Sequence, residues 1–275
     1  MTDPLASPAS PASPARADAP RAGLPPQLRS VRAAFVFLTR VPLGGFPYSA
    51  EDWAWTSAHF PLVGAVIGAV TGGVFHALLP LGPWAAAILA IGASMLLTGA
   101  FHEDGLADTA DGLGGGYTRE RVLEILKDSR IGSFGAAALG VSLLGRAALM
   151  AKLGGAAALA LPLVGGAARA AAVWLMPVLP YVTASEAAKS RLVTRAGFAQ
   201  ALVATAWLGL LGAGAFRFGV ASAPRLLALV AVLACVAAVC GWRFHRRVGG
   251  LTGDFLGATE QLCELAALAV LAWEG

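Results

Sequence analysis

The residues best able to do chemistry lie together in His102-Glu103-Asp104-Gly105-Leu106-Ala107-Asp108-Thr109-Ala110-Asp111-Gly112, five ionisable groups in ten residues. On a helix, Asp104, Asp108 and Asp111 fall at i, i+4 and i+7, so their carboxylates share one face. Like charges stacked this way repel by a few tenths of a kcal/mol per pair on an exposed helix, and by more where the dielectric is low. A divalent cation relieves that repulsion. Hard cations prefer oxygen ligands, and Mg²⁺ takes one or two carboxylates together with waters and substrate phosphates. Gly105 and Gly112 each follow an aspartate and leave room for a ligand to approach the backbone. Asp104, Asp108 and Asp111 are therefore candidate metal ligands, with Glu103 alongside.

Two further groups could complete such a site. Lys127-Asp128-Ser129-Arg130 offers two cations, a hydroxyl and a carboxylate. An arginine fork and a lysine point charge are the usual partners of a diphosphate. The blander reading of the same residues is a positive anchor beside a membrane. The second group runs from Arg243 through His245, Arg246, Arg247 and a glycine-rich turn to Asp254 and Glu260. It supplies three more candidate phosphate ligands, Arg243, Arg246 and Arg247, and a fourth candidate metal ligand, Asp254. Arg40, just before Pro42, reads either as a headgroup anchor or as a phosphate ligand at the membrane surface. Metal-bridged carboxylates with clustered cations describe phosphoryl- or nucleotidyl-type transfer, where catalysis is positioning and charge neutralisation. Gly112-Leu-Gly-Gly-Gly lacks the Gly-Lys-Ser/Thr ending of a phosphate-binding P-loop, and neither a Gly-x-Ser-x-Gly elbow nor a His-Glu-x-x-His pair is present.

The elements that must hold these groups are membrane helices. Of 275 residues, 57% are hydrophobic and only 13% charged, and the mean hydropathy is +0.70, well outside the range of soluble domains. Apolar runs of spanning length predict an all-α, polytopic integral membrane bundle of about seven spans, near 58–79, 84–101, 134–151, 156–180, 198–216, 225–242 and 256–273. A short interfacial helix over 28–43 precedes them, with Val31, Ala34, Phe35 and Leu38 on its apolar face. Residues 1–27 repeat Ser-Pro-Ala and read as a disordered tail, leaving 28–275 as a single transmembrane catalytic domain. Gly64-Ala-Val-Ile-Gly68 makes a small-xxx-small face for close helix contact. Thr118 is a predicted N-cap.

Charge sets the orientation. With Arg16, Arg21, Arg29, Arg32 and Arg40 inside, the acidic stretch, Lys127 to Arg130, then Lys189, Arg191 and Arg195, and finally Arg243 to Arg247 all come out on the cytoplasmic side. The net charge of +4 is thus loop charge and implies no nucleic-acid partner. Glu260 and Glu264, i and i+4 in an apolar helix, should face the interior and pair with Arg169 or the metal. Cys235, Cys240 and Cys263 show no ligand spacing and read as small buried hydrophobes.

At this point the motifs suggest a family. His102-Glu-Asp-Gly-Leu-Ala-Asp-Thr-Ala-Asp-Gly-Leu113 followed by Leu123-Glu-Ile-Leu-Lys-Asp-Ser-Arg-Ile-Gly-Ser-Phe-Gly135, with Phe37-Leu-Thr-Arg-Val-Pro42 upstream and Gly253-Asp-Phe-Leu-Gly-Ala258 downstream, resembles the cobalamin synthase (adenosylcobinamide-GDP ribazoletransferase) family over about residues 30–270. Glu103 and Leu126 stand where the resemblance suggests an apolar residue and a methionine. The resemblance implies the last assembly step of the nucleotide loop of vitamin B12. The 5′ end of α-ribazole, or of its 5′-phosphate, displaces GMP from adenosylcobinamide-GDP, with Mg²⁺, at the bacterial cytoplasmic (inner) membrane. It also admits a homo-oligomer or association with other enzymes of the pathway. On that reading Asp104, Asp108, Asp111 and Asp254 hold the metal. Lys127, Ser129, Arg130, Arg40, Arg243, Arg246 and Arg247 contact substrate, and Asp111 or Asp128 orients or deprotonates the attacking group. Two other readings are weaker. A CDP-alcohol phosphotransferase lacks its Ala-Arg after the Asp-Gly pair here, and a secondary transporter would place its carboxylates near the bilayer midplane.

Overall fold

The computed structural model describes residues 25–44, 48–182, 193 and 196–274. Residues 1–24 of the expected tail, and Lys189, Arg191 and Arg195, lie outside these. The chain folds as helices, α1 (Pro26–Leu38), α2 (Ala50–Thr56), α3 (Phe60–Leu78), α4 (Pro83–Thr98), α5 (Phe101–Gly115), α6 (Arg119–Ile125), α7 (Ser133–Leu153), α8 (Ala157–Val173), α9 (Phe198–Arg217), α10 (Ala223–Val248) and α11 (Gly253–Ala272). Extended pairing among the described residues is limited to a parallel bridge between Tyr181 and Leu251.

The tightest helix pair rests on glycines. A side chain at Gly64, Gly68 or Gly72 of α3 would overlap the backbone of α8 at Gly165, Leu161 and Ala158 in turn. Ascending positions on one helix meet descending positions on the other, so the pair is antiparallel, and the predicted small-residue face extends one turn further than Gly68. Dispersion contact at this distance is what holds apolar helices together where water supplies no hydrophobic drive.

By length and composition five helical segments can cross a membrane, or six if α4 and α5, which meet at 94°, form one broken span. The sequence predicts about seven. Residues 133–173 account for the remaining difference, being one 41-residue segment in the count of five. They do not form one rod. Arg146 and Arg169 both reach Glu264, at 3.1 and 3.2 Å, although 23 residues of straight helix would separate them by about 34 Å. The chain doubles back at Gly154, whose φ of +54° suits glycine, and α7 and α8 run as separate arms.

The bend between α4 and α5 is made by two successive left-handed residues, Gly99 (φ +74°) and Ala100 (φ +56°). Its consequence is that α5, 15 residues long and about 22 Å at 1.5 Å per residue, is too short and too acidic to cross by itself and lies outside the five spanning segments. It runs antiparallel to α7 and α11. The helix at the N-terminus begins at Pro26 and buries Ser30, Ala33, Ala34 and Leu38, so its inner face is turned by about one residue from the predicted one. Cys240 and Cys263 are buried as expected, but Cys235 is exposed, on the outward side of α10.

Candidate active site

All the predicted site residues gather at one end of the bundle. The amide of Arg40 donates to Leu97 O at 2.8 Å, and Leu251 pairs with the strand-like residues after α8. Phe244 of α10 stacks on Phe255 of α11 with ring centroids 4.1 Å apart. The opposite end holds Lys152 beside Glu274 at 3.7 Å and Arg225 donating to Trp273 O.

The predicted helical phase of the acidic stretch is correct, because α5 covers Phe101–Gly115 without a break. Asp104 is exposed, Asp108 partly buried and Asp111 buried. The α5–α11 crossing sets where they sit relative to Asp254. A methyl group at Gly105 would lie 2.9 Å from the Asp254 carbonyl oxygen and 3.1 Å from its Cα, so only glycine lets α11 approach this closely. Thr252 caps α11, its hydroxyl accepting from the Phe255 amide at 3.2 Å, and so holds Asp254 in the first turn. Burial pushes the carboxyl of Asp108 up to about 7, and the charges of Asp104, Asp254 and Asp111 push the same way. Four carboxylates thus act on one another, and among the described residues none of the charges acting on Asp108 is a cation. Among the described residues no three His, Cys, Asp or Glu side chains close around an ion. That open arrangement suits Mg²⁺, which takes one or two carboxylates and leaves its other positions to water and phosphate oxygens.

Asp111 has another task. Its two oxygens accept from the amides of Gly132 at 2.7 Å and Gly135 at 2.9 Å, the N-cap and third residue of α7. A carboxylate from a neighbouring helix thus does what a capping side chain does, satisfying free N–H groups where the helix dipole favours negative charge. A side chain at either glycine would run into that carboxylate, which explains both glycines of Ile-Gly-Ser-Phe-Gly. Asp128, the other predicted base, is fastened to Arg130 by three hydrogen bonds of 2.6 to 3.2 Å from the guanidinium. These bonds hold its carboxyl down at about 2. In this arrangement the oxygens of Asp111 and of Asp128 already accept hydrogen bonds, whereas a general base needs an oxygen within reach of the proton it takes.

The predicted cations divide likewise. Arg247 donates to Leu113 O at 3.0 Å and to Gly116 O, closing the C-terminus of α5 rather than facing outward. Arg246 lies over the Trp242 ring, 5.7 Å from its centroid. Arg40 rests its guanidinium on Gly99 at the α4–α5 bend. Lys127, Ser129 and Arg243 are exposed.

Beneath the carboxylates lies a set of charges that sequence reasoning found only in part. Arg169 pairs with Glu260 at 2.7 Å and Glu264 at 3.2 Å, the partnership expected for acids at depth. Arg146 was missed. It bridges Glu103 at 3.0 Å and Glu264 at 3.1 Å, so Glu103 belongs to this buried cluster and not to the metal group. His102 sits against it, 3.9 Å from Glu260. The signal for Arg146 was available, since a lone arginine inside a predicted span demands a partner as much as a glutamate does.

A family model described as cobalamin-5-phosphate synthase matches residues 30–272. The chain is 41% identical over 244 residues to the adenosylcobinamide-GDP ribazoletransferase of Leptothrix cholodnii, covering 85% of this chain and 91% of that one. Identity to the enzyme of the same name is 40% in Polaromonas sp., over 87% of this chain and 94% of the relative, and 38% in Shewanella piezotolerans, over 89% and 95%. No solved structure matches. A match from Ser30 to Ala272 takes in the capped acidic helix, the α7 entry it holds and the α11 crossing together, and the chain belongs to the cobalamin-5-phosphate synthase family.

Proposed function

We propose that this protein joins α-ribazole, or its 5′-phosphate, to adenosylcobinamide-GDP with release of GMP, in a Mg²⁺-dependent reaction at the cytoplasmic face of a bacterial inner membrane. The observation that carries the reading is the meeting of Asp104 and Asp108 on α5 with Asp254 on α11 across the Gly105 contact. Such a cluster is costly without a cation, and a diphosphate brings one. The relatives' name supplies the donor and acceptor.

In the reaction a free ribose hydroxyl oxygen of the acceptor forms a bond to the phosphorus next to cobinamide, and the bond from that phosphorus to the GMP phosphate oxygen breaks. GMP departs, and the acceptor's proton passes to solvent or to product phosphate. One or two of Asp104, Asp108 and Asp254 would hold Mg²⁺, which would supply charge neutralisation and orientation to the diphosphate oxygens. Lys127 and Arg243 are free to approach the same oxygens, and Arg130, steadied by Asp128, presents its fork beside them. Asp111 contributes by fixing α5 against α7, which keeps Asp104 and Asp108 in register. With the oxygens of Asp111 and Asp128 engaged, charge neutralisation and orientation would carry the rate.

The test is GMP release by the detergent-purified protein from adenosylcobinamide-GDP, with and without α-ribazole, as Mg²⁺ is titrated. Release should require both α-ribazole and the metal and stop on chelation. Release that persists in excess chelator would overturn the metal reading, and release from CDP-alcohols instead would overturn the substrate.

A further inference from the structure

Beside the carboxylates is a cavity of about 60 Å³. Its walls are almost wholly apolar. Phe37 lies between Phe60, stacked at 5.7 Å, and Phe101, edge-on at 5.7 Å, and Ala172, Met176 and Leu256 close the other sides. Gly253 and Gly257 are also in the wall, so the cavity adjoins the first turn of α11 where Asp254 stands. Two polar side chains reach it, His102 and Arg169. Arg169 is 3% exposed; its Nη1 is held by Glu260 at 2.7 Å and by Gly165 O at 2.9 Å. Its Nε–H has no partner among the described residues. A buried donor left unmatched is unfavourable by about 1–3 kcal/mol.

We propose that this cavity receives the aromatic base of the acceptor nucleoside, an inference that rests on the reading of the protein as a ribazole transferase. At about 10–15 Å³ per water the cavity has room for roughly four to six waters, about the space of one flat bicyclic ring. The donor's guanine fits the walls badly. Its ring edge carries N1–H, the exocyclic amine, O6, N7 and N3, most of which would find no partner among phenylalanines, methionine and alanine. A benzimidazole-type base is apolar except for one ring nitrogen, an acceptor, and the wall includes Arg169, whose Nε–H has no partner among the described residues. A base seated here leaves the ribose beside the first turn of α11, where Asp254 stands and the attacking hydroxyl is needed.

Two substitutions change the space without touching the carboxylates. Ala172→Phe fills the cavity and Leu256→Ala enlarges it. In steady-state GMP release with each substrate varied, Ala172→Phe should raise KM for α-ribazole about tenfold or more and leave KM for adenosylcobinamide-GDP within about twofold. Leu256→Ala should raise kcat/KM about fivefold for an acceptor whose base carries an extra fused ring, relative to the parent protein. Calorimetric titration of α-ribazole into the detergent-solubilised full chain is the second readout, and binding should be lost in Ala172→Phe. A rise in donor KM instead, or unchanged acceptor KM together with unchanged base preference, overturns the proposal. Should Ala172→Phe fail to fold, Leu256→Ala decides alone. A parent that binds α-ribazole through this cavity but releases no GMP refutes the transferase reading and spares the cavity. A parent that does not bind it refutes the cavity.

Discussion

Glu103 and Asp104 are neighbours in sequence and belong to two different electrostatic regions. Glu103 points into the bundle and meets Arg146 at 3.0 Å. Asp104 is exposed, and its charge acts on the carboxylates of Asp108 and Asp254. The same division runs through α11, where Asp254 opens toward the mouth and Glu260 and Glu264 are claimed by Arg169 and Arg146. The inner region is paired because charges removed from water must be. The outer one shows no ion-pair partner among the described residues, and a cation bound there would relieve its mutual repulsion. Both helices thus carry acids paired with arginine and, one to six residues away, acids that face other carboxylates.

The largest effect should follow from removing a charge on the outer side. Asp108→Asn should lower kcat by roughly 10²–10³-fold, the range for deleting one fixed electrostatic contact in a site of this kind. It should leave the thermal inactivation midpoint in detergent unchanged or slightly higher, because a self-repelling charge has gone. A near-normal rate would remove the distinction between the two regions.

On the inner side the expected signature is the reverse. Arg146→Met leaves Glu103 and Glu264 without their common partner, and breaking a buried pair costs about 3–5 kcal/mol. The inactivation midpoint should fall by many degrees, while the fraction that remains folded turns over at a rate within a few-fold of the parent. Adding Glu103→Gln to the same protein should restore part of the loss. A variant of full stability with a tenfold slower rate would instead make Arg146 part of the chemistry.

Much of this was legible in the sequence, for reasons particular residues make clear. The face shared by Asp104, Asp108 and Asp111 follows from helical phase alone, and phase is local. The pairing of Arg169 with Glu260 and Glu264 follows from the cost of charge at depth, which applies wherever the partner is. What Asp111 and Arg247 do could not be read, because it depends on where other helices start and end. Asp111 shares the face of its neighbours, yet the entry of α7 at Gly132 and Gly135 takes both its oxygens. Arg247 looks like its neighbours Arg243 and Arg246 until the last carbonyls of α5 are placed against it. Patterning also left open how 133–173 turns back on itself, which Gly154 and the shared partner Glu264 settle.

A smaller effect is expected where the two regions touch. Gly105→Ala puts a methyl 2.9 Å from the Asp254 carbonyl oxygen, so α11 must withdraw by a few tenths of an ångström or more. Overpacking of this kind destabilises by about 1–3 kcal/mol, and it also moves Asp254 away from Asp104 and Asp108. The Mg²⁺ concentration for half-maximal rate should rise several-fold while kcat at saturating metal stays close to the parent's. If kcat falls with the metal requirement unchanged, Asp254 is not a partner of the α5 carboxylates.

The smallest effect concerns Asp128, which is half-buried and unlike either region because its partner, Arg130, is only two residues away. The hydrogen bonds from Arg130 hold its carboxyl at about 2, below an ordinary aspartate at about 3.9. A depressed carboxyl contributes its interaction above the unfolded value and loses it only as pH falls through the folded one, so Asp128 stays ionised from about pH 4 upward. No pH dependence near neutrality can originate there. Asp128→Asn should therefore leave the shape of the rate profile from about pH 6 to 9 unchanged and raise KM for the diphosphate substrate by about threefold to tenfold, through a less steady Arg130 fork. A bell-shaped limb that disappears in this variant would return Asp128 to the role of base.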